Sequence, residues 1–216
     1  MKLFKRLSPT PTPLPRGEKE DFPEYELIAG VDEAGRGPLA GPLVVAGVIL
    51  KADAFHEMLN DSKKLSEKKR ELLFDWVVEN SVAYQIEVVS AEVIDRLNIL
   101  GATMYGMDRV AEMLAVRPEM VLFDGNMVPL EYEIRKGGAG RNVDYECKAV
   151  VKGDGMYACI AAASVLAKVT RDRIMIEMDI RYPEYGFKKH KGYPTKRHLE
   201  MIKEYGVCDE HRRTFL

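Results

Sequence analysis

Two adjacent acids, Asp32 and Glu33, directly follow an apolar segment and precede a Gly35-Arg36-Gly37 turn. Neighbouring carboxylates repel each other and resist burial, so this placement is unfavourable unless a cation compensates for it. Carboxylate oxygens are hard ligands that favour Mg²⁺ or Mn²⁺. Because side chains alternate across a regular strand, both acids reach one ion only if the backbone bends there. The pattern suggests a divalent-metal site, and an acidic turn at a strand end is the alternative.

Two further acids, Asp124 and Asp154, also follow short apolar segments, at residues 120–123 and 147–152. Ligands commonly bind at strand ends in α/β sheets, so four carboxylates at one edge would suit two metal ions bridged by a phosphodiester. Taken alone, each acid has another explanation, which is a hairpin turn for Asp124 and a helix N-cap for Asp154.

Periodic apolar patterns predict the elements that must position these acids. Residues 25–31 and 43–50 have the pattern of strands and are expected to pair as an antiparallel hairpin, and residues 84–89 predict a third strand. Helical spacing predicts helices over residues 66–79, 93–114, 156–180 and 195–205. Hairpin-paired strands followed by strands separated by helices predict an α/β fold, with a mixed sheet covered by helices.

Composition limits the class of protein. The chain has 216 residues, of which 46% are hydrophobic and 31% charged, as in a soluble globular protein, and we expect a cytoplasmic location. No apolar run approaches the length of a membrane span, and no secretory signal is recognisable. Three cysteines without C-x-x-C spacing predict reduced thiols rather than a disulfide framework or a zinc site.

The net charge of −2 gives no global attraction to nucleic acid, but the positive charges are clustered. The two clusters consist of Lys63, Lys64, Lys68, Lys69 and Arg70, and of Lys188, Lys189, Lys191, Lys196 and Arg197. Such clusters allow a local basic face, and solvated helix faces are the alternative explanation.

In combination, these motifs resemble the ribonuclease HII family of type 2 ribonucleases H. The matching segments are residues 30–38, 60–66, 124–126, 150–154, 161–172 and 190–195. The resemblance implies a ribonuclease H-like mixed β-sheet flanked by helices over residues 25–182. A disordered lead-in over residues 1–24 and a small, basic helical extension over residues 183–216 complete the expected organisation. The short segment before the first strand favours type HII over ribonuclease HIII, which carries an extra N-terminal domain.

The resemblance also implies an activity, namely cleavage of RNA in RNA–DNA hybrids and incision 5′ to single ribonucleotides in duplex DNA. Asp32, Glu33, Asp124 and Asp154 would then be the catalytic metal ligands, with Mn²⁺ or Mg²⁺ as cofactor. Two-metal hydrolysis leaves 5′-phosphate and 3′-hydroxyl ends. The expected role is removal of misincorporated ribonucleotides and replication primers, by a protein that acts as a monomer and has no membrane partner.

Recognition of RNA requires a group that senses the 2′-hydroxyl. Gly35, Arg36 and Gly37 match the ribonucleotide-reading turn of the family, in which glycines let the backbone approach a sugar closely. Tyr193 resembles the tyrosine that packs on the adjoining deoxyribose, and an ordinary turn aromatic is the alternative.

Several polar residues are expected to contact the duplex backbone without reading base sequence. The candidate phosphate contacts are Asn60, Ser62, Lys63, Lys64, Lys168, Thr170 and Arg171. Three histidines of the basic C-terminal part are expected to contribute to duplex binding rather than to metal ligation, namely His190, His198 and His211.

One segment departs from the family pattern. Residues 124–154 are longer than expected, and residues 135–144 predict an inserted flexible loop. Asp144 lies in this insertion and competes with Asp154 as the fourth ligand, but only Asp154 has the Lys-Gly-Asp context.

Two rival functions remain open at this point. One is another two-metal DNA nuclease of the same fold, which would have no use for a 2′-hydroxyl reader such as the turn at residues 35–37. The other is a non-catalytic hybrid-binding module, although all four carboxylates are present. A dinucleotide site is disfavoured because the third glycine is misplaced and Pro38 and Pro42 interrupt the expected helix.

Overall fold

A computed structural model describes residues 21–52, 54, 56–59, 65–138 and 142–216. The strands of the described part are β1 (Ile28–Ala34), β2 (Leu43–Leu50), β3 (Ser81–Val89), β4 (Met120–Asp124) and β5 (Glu146–Val150). Its helices are α1 (Glu67–Asn80), α2 (Ala91–Met113), α3 (Pro129–Arg135), α4 (Ala158–Arg181), α5 (Phe187–His190) and α6 (Lys196–Tyr205). Short 3₁₀ turns occur at Gly153–Gly155 and Arg213–Phe215.

The strands form one mixed sheet in the order β3-β2-β1-β4-β5. β1 and β2 pair antiparallel, as do β2 and β3, whereas β4 runs parallel to β1 and β5 runs parallel to β4. This arrangement confirms the predicted α/β fold and the predicted pairing of the first two strands. Because β1, β4 and β5 are parallel, their carboxyl ends meet at the same edge of the sheet. The hairpin explanation of Asp124 is therefore wrong.

Helices cover both faces of the sheet. On one face, the Ala161–Ala163 stretch of α4 packs with buried valines of β2, and on the other face Met107 and Val110 of α2 pack with Val31. α4 lies very close to β1, because a Cβ atom added at Gly30 would be 2.3 Å from the backbone of Cys159 and Ile160. The alanine-rich sequence thus allows the close helix-on-sheet contact that brings α4 beside the edge of β1.

α2 contains a break that the apolar spacing did not predict. Asn98 has φ 59° and ψ 169°, which is not helical. Its side-chain Oδ1 accepts hydrogen bonds from the amides of Leu100 and Gly101, at 3.0 and 3.1 Å. Asn98 therefore acts as an N-cap within the helix, while the apolar stripe on either side continues to face the sheet. The prediction of one unbroken helix over residues 93–114 is wrong at this position.

The C-terminal elements pack on the end of α4 and on the loop between β1 and β2. Ala40 of that loop is buried in one cluster with Met175, Met178 and Phe187. α6 begins after Thr195, whose Oγ1 accepts a hydrogen bond from the His198 amide at 3.3 Å, so the predicted helix over residues 195–205 is confirmed. This packing places residues 183–216 against the same sheet edge as the acids.

Two of the three histidines expected to contact a duplex are internal. His198 and His211 are 0% and 2% exposed, and their Nε2 atoms are 3.1 Å apart. The Nδ1 atom of His211 lies 3.0 Å from the Cys208 amide nitrogen, which donates to it. The expectation of duplex binding is therefore wrong for these two residues, because their polar atoms are used inside the fold.

The segment between β4 and β5 contains α3, which the sequence did not predict. Residues 139–141 of the expected inserted loop lie outside the described residues. Asp144 is exposed, and its Oδ2 atom forms an ion pair with Arg117 at 3.4 Å. Among the described residues, no helix is both long and apolar enough to span a membrane.

Candidate active site

Asp32 is the most deeply buried acid at the sheet edge, with 4% of its surface exposed. It lies on the face of β1 that packs on α4. Its Oδ1 accepts a hydrogen bond from the Glu33 amide at 2.7 Å. Burial and the negative charges of Glu33 and Asp124 raise the pKa of Asp32 well above its usual range, although hydrogen bonds from the Glu33 amide and the Ser164 hydroxyl act in the opposite direction. A nearby cation would relieve this accumulated negative charge.

Glu33 reaches the same edge from the other face of β1. The bend expected between the two acids is absent, because the pairing of β1 with β2 continues regularly to Ala34. The backbone turns only at Gly35, where φ is +103°. Strand alternation directs the Cβ atoms of Asp32 and Glu33 to opposite sides of the strand end, yet the Glu33 side chain lines a cavity together with Ser164 and Lys168 of α4. The Glu33 Oε1 atom is 3.4 Å from a guanidinium nitrogen of Arg36.

Asp124 ends β4 and is linked directly to the turn that carries Asp154. Its Oδ1 accepts a hydrogen bond from the Gly153 amide at 2.7 Å. Asp154 follows immediately, in the 3₁₀ turn Gly153–Gly155. The N-cap explanation of Asp154 is wrong, because α4 begins at Ala158 with Tyr157 before it. The fold thus brings to one edge the three chain segments that carry the four predicted ligands.

The donor set at this edge is chemically suited to Mg²⁺ or Mn²⁺. Its members supply only carboxylate oxygens, which these hard cations prefer. Within the described residues, no group of three or more Asp, Glu, His or Cys side chains is already arranged to hold a metal ion. The buried Asp32 beside two other acids is the observation that fits a divalent cation.

A cavity of about 270 Å³ adjoins the acids. Its lining consists of Glu33, Ala34, Gly35, Arg70, Ser164, Val165, Lys168, Arg171 and Tyr193. Two of these residues were not predicted to belong to the site. Ser164 had no predicted role, and Arg70 was noted only as a member of a basic cluster. A signal for Ser164 was available, because it is the single polar residue in the otherwise apolar run 161–167 of α4.

The predicted 2′-hydroxyl reader lies at the rim of this cavity. Arg36 and Gly37 are exposed, and a Cβ atom added at Gly37 would be 3.5 Å from Cε1 of Tyr193. Tyr193 is 47% exposed. The ring of Tyr193 thus stands beside the Gly35-Arg36-Gly37 turn, although the two are distant in sequence.

The predicted phosphate-contacting residues differ in how exposed they are. Lys168 lines the cavity and pairs with Asp172 at 2.6 Å, and Thr170 is half-buried. Arg171 is buried, and its Nε atom donates to the Pro42 carbonyl at 2.9 Å, a geometry that supports the loop rather than a surface contact. Burial lowers the pKa of Arg171 to about 10. The other candidates lie outside the described residues, namely Asn60, Ser62, Lys63 and Lys64.

A mixed five-stranded sheet with acids at the ends of its central strands, beside a cavity lined by cationic side chains, defines an α/β nuclease of the ribonuclease H-like class. The family model described as Ribonuclease HII matches residues 29–216. The chain belongs to the ribonuclease HII family and is a ribonuclease H, an endonuclease that hydrolyses the RNA strand of RNA–DNA hybrids.

Known relatives agree with this assignment in sequence and in structure. A ribonuclease HII of Shewanella baltica (strain OS223) is 52% identical over 189 residues, which cover 88% of this chain and 87% of the relative. The crystal structure of ribonuclease H2 from Pyrococcus horikoshii OT3 aligns with a TM-score of 0.71 and 29% identity, over 87% of this chain and 93% of that one. Ribonuclease HII of Archaeoglobus fulgidus, solved in complex with PCNA, aligns with a TM-score of 0.68 and 29% identity, over 88% and 95%.

Proposed function

We propose that the protein incises duplex DNA 5′ to embedded single ribonucleotides, and cleaves longer RNA tracts, by hydrolysis assisted by two Mg²⁺ or Mn²⁺ ions. Water adds to phosphorus while the bond from phosphorus to the 3′-oxygen breaks, which leaves 5′-phosphate and 3′-hydroxyl ends. The observation that carries this proposal is the burial of Asp32 beside Glu33 and Asp124 at one sheet edge, where the pKa of Asp32 is strongly raised.

Asp32, Glu33, Asp124 and Asp154 are the residues that would hold the ions. When bound, the ions would activate the attacking water and neutralise charge on the departing oxygen. The chain itself fixes the donors. The Gly153 amide orients Asp124 at 2.7 Å, and the Glu33 amide and Ser164 hydroxyl orient Asp32. Hydrogen bonds of this kind fix the orientation of the carboxylate ligands and tune their affinity for the cation.

The turn at Gly35, Arg36 and Gly37 is proposed to recognise the 2′-hydroxyl, with Tyr193 packing on the neighbouring deoxyribose. The exposed backbone of Gly37 and the partly exposed Tyr193 ring support this assignment, since they lie side by side and would contact adjoining sugars from the same side. An aromatic face suits the apolar surface of a sugar, whereas backbone groups suit a hydroxyl.

Cationic groups around the cavity are proposed to hold the duplex backbone. Lys168 and Arg70 line the cavity, and Thr170 is half-buried on the same helix as Lys168. Asn60, Ser62, Lys63 and Lys64 would extend this contact. Such groups position the substrate without reading its bases.

A cleavage assay tests the proposal directly. A labelled DNA duplex with one ribonucleotide is incubated with Mg²⁺ or Mn²⁺, beside an all-DNA duplex and an Asp124→Asn variant. We expect incision 5′ to the ribonucleotide by the wild-type protein only, and loss of incision after chelation of the metal. Metal-dependent cleavage of the all-DNA duplex would instead support a DNA nuclease, and binding without cleavage would support a non-catalytic module.

The same activity suggests a cellular role and setting. We propose that the protein removes misincorporated ribonucleotides and replication primers, acts as a monomer, and works in the cytoplasm. No disulfide joins Cys147, Cys159 and Cys208 in the part of the chain that the structure describes, as is typical of a reducing compartment.

A further inference from the structure

Arg212 is completely buried beneath the loop that carries the proposed 2′-hydroxyl reader. Each of its three guanidinium nitrogens donates to a carbonyl of that loop. Nε donates to Gly41 at 2.9 Å, Nη1 to Arg36 at 3.1 Å, and Nη2 to Gly35 at 2.6 Å. The planar guanidinium holds three donors in a fixed arrangement, so these bonds define the relative positions of the three carbonyls.

A second buried guanidinium continues this support. Arg171 donates from Nε to the Pro42 carbonyl at 2.9 Å and from Nη2 to the Ala40 carbonyl at 3.2 Å. A Cβ atom added at Gly35 would be 2.1 Å from Arg171 Nε, so the loop lies directly on this side chain. Together the two arginines donate hydrogen bonds to five carbonyls of residues 35–42.

The inward carbonyls determine where the amides of the turn point. In a trans peptide the C=O of one residue and the N–H of the next point in opposite directions. Since the carbonyls of Gly35 and Arg36 face Arg212, the amides of Arg36 and Gly37 face away from it. Both of these residues are exposed, and a Cβ atom added at Gly37 would be 3.5 Å from Tyr193. Arg212 therefore fixes two outward hydrogen-bond donors at the site of proposed sugar recognition.

Arg212 is itself held firmly. Its amide donates to the Leu39 carbonyl at 2.8 Å. Asp95 of α2 accepts hydrogen bonds from the amides of Arg213 and Thr214, at 2.8 and 3.0 Å. The guanidinium also lies over the ring of Phe215, 5.2 Å from its centre. The side chain is thus a rigid connection between the loop and α2.

Burying a cation at this position carries a desolvation cost. Burial and the neighbouring Arg171 lower the pKa of Arg212 to about 9, which reflects the cost of a second buried positive charge. An apolar replacement would avoid this cost but would leave the carbonyls of Gly35, Arg36 and Gly41 without these donors. The three-carbonyl geometry gives a reason for retaining the charge, because an apolar side chain cannot orient carbonyls.

We propose that Arg212 is a positioning residue for substrate recognition, which aligns the Arg36 and Gly37 amides through the Gly35 and Arg36 carbonyls. This inference rests on the proposed function, since it concerns how the same site selects and aligns a ribonucleotide. Most of the duplex contacts lie elsewhere, so Arg212 affects the alignment of the scissile phosphate more than the affinity for the duplex.

The test compares Arg212→Lys with Arg213→Lys on the duplex that carries one ribonucleotide. Lysine keeps the charge but cannot bind three carbonyls in a fixed plane, whereas Arg213 is an exposed neighbour. We expect Arg212→Lys to lower kcat about tenfold or more, with KM for the duplex changed less than about threefold. Arg213→Lys should retain wild-type values. Circular dichroism and thermal unfolding establish that each variant is folded.

A folded Arg212→Lys variant with wild-type kcat, or with its loss entirely in KM, would overturn the inference. If that variant does not fold, Asp95→Asn decides the question, because it leaves the Arg212 side chain in place but weakens the anchor of residues 213 and 214 and removes a negative charge that acts on the guanidinium. We expect Asp95→Asn to lower kcat by a smaller factor than Arg212→Lys, again with little change in KM. An unchanged kcat would count against the inference. Wild-type protein that fails to incise the ribonucleotide would refute the proposed function instead, so the two failures are distinguishable.

Discussion

Ser164 determines how the most buried acid of the active site is held. Its hydroxyl bonds the Asp32 carboxylate and opposes the rise in the pKa of that group. Cation binding requires Asp32 to be deprotonated, so any group that favours its charged form also favours the metal. A single serine on the buried face of α4 thereby links the helix to the chemistry at the end of β1.

We predict that Ser164→Ala raises the metal concentration for half-maximal activity about tenfold. Without the hydroxyl the pKa of Asp32 is higher, so the fall in activity on acidification should begin at a higher pH. Titration of activity with Mn²⁺ at several pH values measures both effects. Ser90→Ala is the control, since Ser90 caps α2 and accepts from the Val93 amide. It should cost about 1 kcal/mol of stability and leave the metal titration unchanged. Coincident titrations for the two variants would argue against the role of Ser164.

At the level of elements, the active site depends on how closely α4 approaches β1. Gly30 has no side chain to separate them, and Asp32 lies two residues further along the same face. The hydrogen bond between Ser164 and Asp32 is within reach only because the helix backbone lies directly on the strand. Close packing of the core and the placement of Asp32 therefore both require that α4 lie directly on β1.

We predict that Gly30→Ala destabilises the protein by at least about 2 kcal/mol, because the new methyl group would overlap backbone atoms that cannot move independently. Urea unfolding with and without the substitution measures the change. Gly155→Ala is the matched control, because no atom lies within 4 Å of a Cβ atom added there. A loss of stability as large in the control as in Gly30→Ala would mean that close packing is not the cause.

Local patterns were sufficient to predict most elements. β2 spans residues 43–50 as its apolar run predicted, and the caps at Ser66 and Thr195 carry short-range signals. The break at Asn98 was missed because the apolar spacing continues through it. The acids were predicted to follow strand ends, but only the parallel pairing of β1, β4 and β5 shows that these ends share one edge.

Long-range contacts of the site could not be predicted in this way. Nothing near Arg212 in sequence indicates that its side chain binds carbonyls of Gly35 and Arg36. Arg171 is a basic residue for which the sequence suggests a phosphate contact, whereas its side chain is buried and donates to the carbonyls of Pro42 and Ala40. Both side chains are placed by tertiary packing rather than by local propensity.

At the scale of the whole molecule, the C-terminal segment holds the loop after β1. Ala40 and His211 form an isolated β-bridge, and the Gly41 amide donates to the Glu210 carbonyl at 2.8 Å. Beneath this contact His211 packs with His198, Cys208 and Tyr185. The internal histidine pair thus supports the same loop as Arg212, through His211 next to it in sequence and His198 of α6.

We predict that the contribution of His211 to stability declines as pH falls from about 6.5 toward 4. Burial and the neighbouring His198 lower the pKa of His211 to about 4, so between these values the unfolded chain binds a proton that the folded protein excludes. Above pH 6.5 this contribution should be constant. Urea unfolding at pH 7.5, 6 and 5 measures the trend, and His211→Gln should flatten it. His56→Gln, outside the histidine cluster, should keep the wild-type slope, and parallel curves for wild type and His211→Gln would contradict the assignment.

The 177-residue separation between Gly35 and Arg212 has a consequence for biosynthesis. A nascent chain that has emerged from the ribosome as far as Asp154 already contains all four acids. The carbonyls of Gly35, Arg36 and Gly41 then still lack the guanidinium that orients them, because contacts of such sequence separation form only after the distant segment is available. The loop after β1 is thus among the first parts of the fold to be synthesised and among the last to acquire its final shape.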